Sequence, residues 1–211
     1  METGSFVSGY KTVSGISEAE VIEKKSRFIS HLSHVECEEE AVDFIDRIRQ
    51  ENQQARHNVY AYLLRAGRTR YSDDGEPAQT SGLPTFETIE HAGLCDVVIV
   101  TTRYFGGILL GTGGLVRTYT QAAKEAIARA RIVQIISCID FEFTLPYDLN
   151  SQVQKAISER GATVLLCEYT DKVKIRVRVR EDEASDFERL LTETTRGRIE
   201  LQKTPPHLAE L

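Results

Sequence analysis

Apolar positions along the chain recur with two different periods, and the switches between them predict a series of strands and helices. Residues 20–35 read as extended chain, after the turn-prone Ser14-Gly15. From Glu36 to Gln50 the apolar residues Ala41, Val42, Ile45 and Ile48 fall at helical spacing for one buried face. Glu38, Glu39 and Glu40 in its first turn and Arg47 and Arg49 in its last complement the helix dipole. His57–Leu64 predicts another strand, turned back at Ala66-Gly67 into Thr69-Arg70-Tyr71. A polar, turn-rich segment runs from Ser72 to Pro84, and a short helix over Phe86–Ala92 stops at Gly93. Asp96–Phe105, with Val97-Val98-Ile99-Val100 unbroken, predicts a buried strand. A glycine-rich loop then leads into a long helix over 115–130.

Near Ser137 the pattern restarts. Ile139, Phe141, Phe143 and Leu145 alternate with Asp140, Glu142 and Thr144, a half-buried strand. A helix over 149–160 stops at Gly161, strands 163–169 and 172–180 join at Thr170-Asp171, and a helix over 182–194 precedes a strand at 198–202. This β-α-β-β-α-β order predicts a ferredoxin-like unit. The expected class is α+β, with two domains, 1–137 and 138–211.

Charge and composition narrow the function. The chain carries 26 Lys+Arg against 32 Asp+Glu, a net of −6, which excludes a generally cationic nucleic-acid coat but not a local basic patch. The balance is 15 basic to 18 acidic residues before the boundary and 11 to 14 after it, so neither domain is a basic module. No apolar run approaches the ~20 residues of a membrane span, and Met1-Glu2-Thr3-Gly4 opens no apolar signal region. A cytoplasmic protein with no membrane partner is expected. Cys37, Cys95, Cys138 and Cys167 spell no C-x-x-C, so reduced thiols are expected rather than a zinc or dithiol site.

The strongest chemical signal is Arg103-Tyr104-Phe105-Gly106-Gly107-Ile108-Leu109-Leu110-Gly111-Thr112-Gly113-Gly114-Leu115-Val116-Arg117. It predicts a strand, a glycine loop and a helix N-terminus, whose free N–H groups favour an anion. Nucleotide fingerprints fail here: Thr112 stands where a P-loop needs Lys, and Val116 where a dinucleotide motif needs Gly or Ala. No cofactor is implied. The first turn of this helix holds Arg117 and no acid, against the dipole preference. Two readings follow: Arg103, Gly106, Gly107, Gly111, Gly113, Gly114 and Arg117 bind an external anion, or Asp73, Asp74 or Glu76 supplies an internal counter-charge. The Asp73–Glu76 segment also offers a partner-binding loop. It lacks calcium-loop spacing and is ordinary turn chemistry, so no metal is expected. His31 and His34, three apart on a strand, point to opposite faces. His57, Asp73 and Asp74 are the only weak catalytic candidates, and no nucleophile signature accompanies them. In Lys172–Arg180, Lys172, Lys174, Arg176, Arg178 and Arg180 alternate with apolar residues, putting five cations on one strand face. That favours RNA, although Asp140 and Glu142 of the neighbouring strand would pair across to it.

Lys25-Ser26-Arg27-Phe28-Ile29, Ala55-Arg56-His57-Asn58-Val59-Tyr60-Ala61-Tyr62, Ser72-Asp73-Asp74-Gly75-Glu76-Pro77 and the 102–117 segment, in that order, resemble the IMPACT family, most closely its bacterial YigZ/YvyE-type members. The resemblance implies an N-terminal two-layer βα domain similar to the second domain of a small-subunit ribosomal protein. It implies a C-terminal domain similar to the last domain of a translocation elongation factor. The resemblance implies a link to translational control, which eukaryotic relatives make with an extra N-terminal domain for finding their partner; that domain is not expected here, so their regulatory role is not carried over whole. The expected function is therefore a non-catalytic binding or regulatory protein of translation, with RNA, the ribosome or a protein as partner. The alternatives are a phosphate-ester or nucleotide hydrolase and a purely protein-binding regulator.

Overall fold

The computed structural model describes residues 9–211. Its first unit, Tyr10–Val133, contains β1 (Tyr10–Ser14), β2 (Ile16–Glu23), β3 (Ser26–His34), α1 (Glu38–Glu51), β4 (His57–Leu63), β5 (Thr69–Ser72), α2 (Gly82–His91), β6 (Val97–Tyr104) and α3 (Thr112–Arg129). Strands β2-β3-β6-β4-β5 form one sheet in that order, every neighbour antiparallel.

Alternate residues of the central strands are buried against different layers. Tyr60 and Tyr62 of β4 and Val98 and Val100 of β6 pack with Ala41, Phe44, Ile45 and Ile48 of α1. Val97 and Ile99 pack with Ile89 of α2 and Ala123 and Ala126 of α3, while Val59 and Phe28 meet Leu115, Tyr119 and Ala122 of α3. Helices thus cover both faces. The two-layer arrangement implied by the family resemblance is corrected to three layers, and the unbroken Val97–Val100 run reflects burial on both sides.

Two local departures from the expected elements have physical causes. The extended segment at 20–35 is a hairpin, β2 and β3, whose two-residue turn places Lys24 (φ 45°) and Lys25 (φ 68°) in the left-handed region. That turn usually announces itself with Asn-Gly, which the sequence does not offer. Helix α2 starts at Gly82, ahead of the expected Phe86, because its N-terminus is capped from a distance by Asp73, as described below. Pro84 is tolerated in its first turn, where no intrahelical donor is lost.

The second unit, Gln134–Leu211, holds most of β7 (Arg131–Leu145), then α4 (Tyr147–Glu159), β8 (Thr163–Tyr169), β9 (Val173–Arg180), α5 (Ala184–Thr195), β10 (Gln202–Lys203) and β11 (His207–Glu210). β9 lies between β7 and β8, and β10 and β11 pair with the other side of β7, all antiparallel. Phe141 and Phe143 of β7, Ile175 and Val177 of β9, and Leu149, Val153, Phe187 and Leu191 of the helices make its core. The expected strand at 198–202 is instead two short pieces after Gly197, separated by Pro205-Pro206, which donate no ladder hydrogen bond. No helix among the described residues is long and apolar enough to cross a membrane.

Candidate anion-binding site

One end of the first unit's sheet gathers four chain segments. The β2–β3 turn brings Lys24 and Lys25, the start of β4 brings Arg56 and His57, and the end of β6 brings Arg103 to Phe105. The N-terminus of α3 closes the group. Register places them together: Arg27 faces Tyr104, and His57 faces Arg103. Beside the last three of these segments lies a cleft of about 370 Å³, lined by Arg56, His57, Glu76, Pro77, Arg103, Phe105 and, from the loop and the start of α3, Leu109 to Thr112 and Leu115.

Arg103 and Arg117, grouped in the sequence as one anion site, stand in different surroundings. The Arg103 side chain is 7 % exposed and donates through Nη1 to both Glu76 oxygens, at 2.7 and 2.9 Å. Glu76 also accepts from the Tyr119 hydroxyl at 2.8 Å. Burial, followed by the Glu76 charge, pushes the Tyr119 hydroxyl well above its ordinary pKa. Phe28 and Phe105 flank the guanidinium, with ring centroids at 5.3 and 5.6 Å. Arg117 is exposed, has no acid within 4 Å among the described residues, and leans back beside Gly113 on the α3 flank facing Val21 and Glu23. The internal counter-charge therefore falls on Arg103 and not on Arg117.

The loop glycines divide by job. Gly106 sits against the Lys25 carbonyl, where a side chain has no room, and its N–H donates to Ser26 Oγ at 3.1 Å. Gly107 (φ 86°) and Gly111 (φ 70°) turn the chain in left-handed conformations. Gly111 is the α3 N-cap and supplies no side-chain cap, and the first turn holds no acid. The first helical bond runs from Leu115 N–H to the Gly111 carbonyl, so the N–H groups of Thr112, Gly113 and Gly114 lack a backbone acceptor.

The acidic loop faces inward. Asp73 accepts from the N–H groups of Ser81, Gly82 and Gln79 and from the Ser81 hydroxyl, at 2.6–3.0 Å, and so caps α2. Its partial burial would raise its pKa, but these four donors outweigh burial and hold it below the ordinary 3.8. A depressed folded-state pKa gives stability that is complete above the unfolded value and lost as pH falls through the folded one. Asp73→Asn is expected to cost about 1–2 kcal/mol at neutral pH, and to flatten the loss of stability below about pH 4. Denaturant titrations of both proteins across that range check this. Asp74 accepts from Arg49 at 3.1 Å and from the Asn58 N–H at 2.6 Å, and its carbonyl accepts from His57 Nδ1 at 2.8 Å.

In the second unit the basic strand face is laced to its neighbours. Lys174 and Arg176 both bond Glu142, Arg178 bonds Asp140 at 2.8 and 3.0 Å, and Arg180 bonds Asp182 at 3.0 Å. Lys172 alone of the five lacks an acidic partner among the described residues. His31 lies 3.3 Å from Glu18 and His34 bonds Thr12 at 2.8 Å. No group of three metal-ligating side chains occurs among the described residues, and the four cysteines are free thiols.

Sequence reasoning passes over Arg56, Lys24, Lys25, Phe105 and Tyr119. The first three have no acidic partner among the described residues, which only the fold reveals. Phe105 is visible as an aromatic inside a glycine loop, and it is 48 % exposed.

Comparison with known proteins agrees with the resemblance. Residues 24–127 match the Impact N-terminal domain, and residues 143–198 match a domain of unknown function, DUF1949. The chain is 33 % identical to the IMPACT family member YvyE of Bacillus subtilis, over 92 % of this chain and 90 % of that protein. It is 30 % identical to the IMPACT family member YigZ of Escherichia coli, over 84 % and 89 %. The Protein IMPACT homolog of Dictyostelium discoideum is 38 % identical over 43 % of this chain and 28 % of its own length. A solved structure described as that of an hypothetical protein superimposes with a TM-score of 0.61 at 28 % identity, covering 92 % of this chain and 97 % of the other. With two bacterial relatives matched along most of their length, and both halves of the chain accounted for, this protein belongs to the IMPACT family as a YigZ/YvyE-type member.

Proposed function

We propose that this protein is a binding protein of the translation apparatus that holds single-stranded RNA at the cationic end of its first unit. The observation that carries this reading is that Lys24, Lys25 and Arg56 at this end of the sheet, and Arg117 on the flank of α3, have no acidic partners among the described residues, beside an α3 N-cap with no side-chain cap and an exposed Phe105. Cations left unpaired supply phosphate contacts, and an exposed aromatic supplies a stacking platform. The implied likeness of the two domains to parts of a ribosomal protein and an elongation factor fits the same reading, as an analogy of fold. The Lys172–Arg180 face is a minor contact in it, because its cations are spent largely on Asp140, Glu142 and Asp182.

The expected result is an affinity for a single-stranded RNA oligomer that falls linearly with log salt, with a slope of about −3 if all four cations touch phosphates. Arg56→Glu and Lys25→Glu should each lower affinity and reduce the slope by about 0.7. Lys174→Ala with Arg178→Ala should change it less. Fluorescence anisotropy between low and physiological salt reads both quantities. Absence of binding at low salt overturns the reading.

A further inference from the structure

We propose that the cleft beside α3 docks an amphipathic helix of a partner protein, apolar along one face and acidic along its margins. The inference goes beyond the RNA reading, since of the four cations in that reading only Arg56 lines the cleft.

The lining is largely apolar, with Phe105, Leu109, Leu110, Leu115 and Pro77. Leu109 is 82 % exposed, and Phe105 and Ile108 of the same loop are exposed as well. Single exposed apolar residues are ordinary. Three within five positions, two of them lining a concavity, form the kind of patch that a partner protein covers. Three leucines and a proline to one phenylalanine suit aliphatic anchor side chains better than a nucleotide base, whose gain comes from aromatic faces.

Topology selects a helix as the occupant. The cleft is lined from the ends of β4 and β6, both interior strands, and no residue of the edge strands β2 and β5 lines it. An extended peptide therefore finds no free strand edge to pair with. A ligand held through side chains alone presents them from a helix, at i, i+3, i+4 and i+7.

Charge selects the acidic margins. The lining holds one acid, Glu76, and Arg103 at 2.7 Å and the Tyr119 hydroxyl at 2.8 Å already occupy it. Asp74, in the same loop, is engaged by Arg49. Arg56 is exposed and has no acidic partner among the described residues. The apolar floor thus has a positive border, and its complement is a helix with carboxylates beside its apolar stripe.

The test pans a phage library of helical peptides on the full chain and resynthesises the enriched sequences with a fluorescent label for anisotropy. Expected is enrichment of apolar residues at i, i+3, i+4 and i+7 with net negative charge, and one-to-one binding that weakens with salt. Leu109→Glu, at so exposed a position, should leave the melting temperature unchanged and lower affinity for such a peptide at least about tenfold. Arg56→Ala should lower it about two- to fivefold. Arg117→Glu, on the flank facing Val21 and Glu23, should weaken RNA and leave the peptide within about twofold. No enrichment, enrichment of basic or patternless peptides, or an affinity that Leu109→Glu leaves unchanged overturns the inference. If no peptide is enriched while RNA binds and Leu109→Glu weakens it, the cleft belongs to RNA, and the RNA reading stands without the inference. If peptides bind through Leu109 and RNA does not bind at low salt, the docking surface stands and the RNA reading fails.

Discussion

Replacing Glu76 with Ala is expected to destabilise the first unit by about 3–5 kcal/mol, because it strands the buried Arg103 guanidinium without a counter-ion. Glu76 is the only acid bonded to Arg103 among the described residues, and it also holds the Tyr119 hydroxyl. The side chains of both ion-pair partners are almost entirely buried, 7 % and 3 % exposed, so water from the adjoining cleft replaces the lost carboxylate poorly. Replacing both members should behave differently. With Arg103→Met and Glu76→Leu together no unpaired charge is buried, and the double variant should recover much of the loss, as apolar replacements of buried pairs do. Thermal melts of the two single variants and the double variant give the coupling directly. A Glu76→Ala protein as stable as the parent would show that Arg103 finds another partner or never needed one.

Gly106→Ala is the second large effect. A Cβ at this position overlaps the Lys25 carbonyl and the Ser26 nitrogen, which are backbone atoms that cannot swing aside. Either the glycine loop lifts or the β2–β3 turn moves, and both lose the Gly106 N–H bond to Ser26 Oγ. Overpacking of this kind costs about 1–3 kcal/mol, and two backbone groups in the path place it at the upper end. Affinity for RNA should fall as well, since Lys24, Lys25 and Phe105 leave their common surface. Melting and anisotropy measured on one preparation check both. Gly107→Ala is the contrasting case: nothing lies near its Cβ, so its cost comes only from the left-handed backbone.

The helices and most strands are legible in the sequence because their signals are local. Ala41, Ile45 and Ile48 mark one face of α1, and Val173 to Val179 alternate along β9 with the Lys and Arg residues that stay at the surface. The pairing of Asp140 and Glu142 with that surface is legible too, since the β-α-β-β-α-β order sets β7 beside β9. What escapes depends on contacts between distant residues. Asp73 caps a helix that begins nine positions later. Glu76 neutralises Arg103 from 27 positions away. Layer number is legible in the unbroken Val97–Val100 run, which marks a strand buried on both faces, and the two-layer expectation comes from the resemblance alone. In the candidate site, the glycine loop and Arg103 are visible, but the parting of Arg103 from Arg117 is not. Arg103 precedes the helix and Arg117 lies in its second turn, and only the fold turns one inward and the other out.

The Lys24-Lys25 turn carries a consequence for how this protein can be improved. Two lysines occupy backbone angles that asparagine and glycine accept far more comfortably, at a penalty of roughly 1 kcal/mol or more per residue. An engineer optimising heat resistance would exchange them first and would gain a sturdier hairpin. The same exchange would strip two exposed positive charges that no acid among the described residues balances, so robustness and the proposed recognition compete at this single bend.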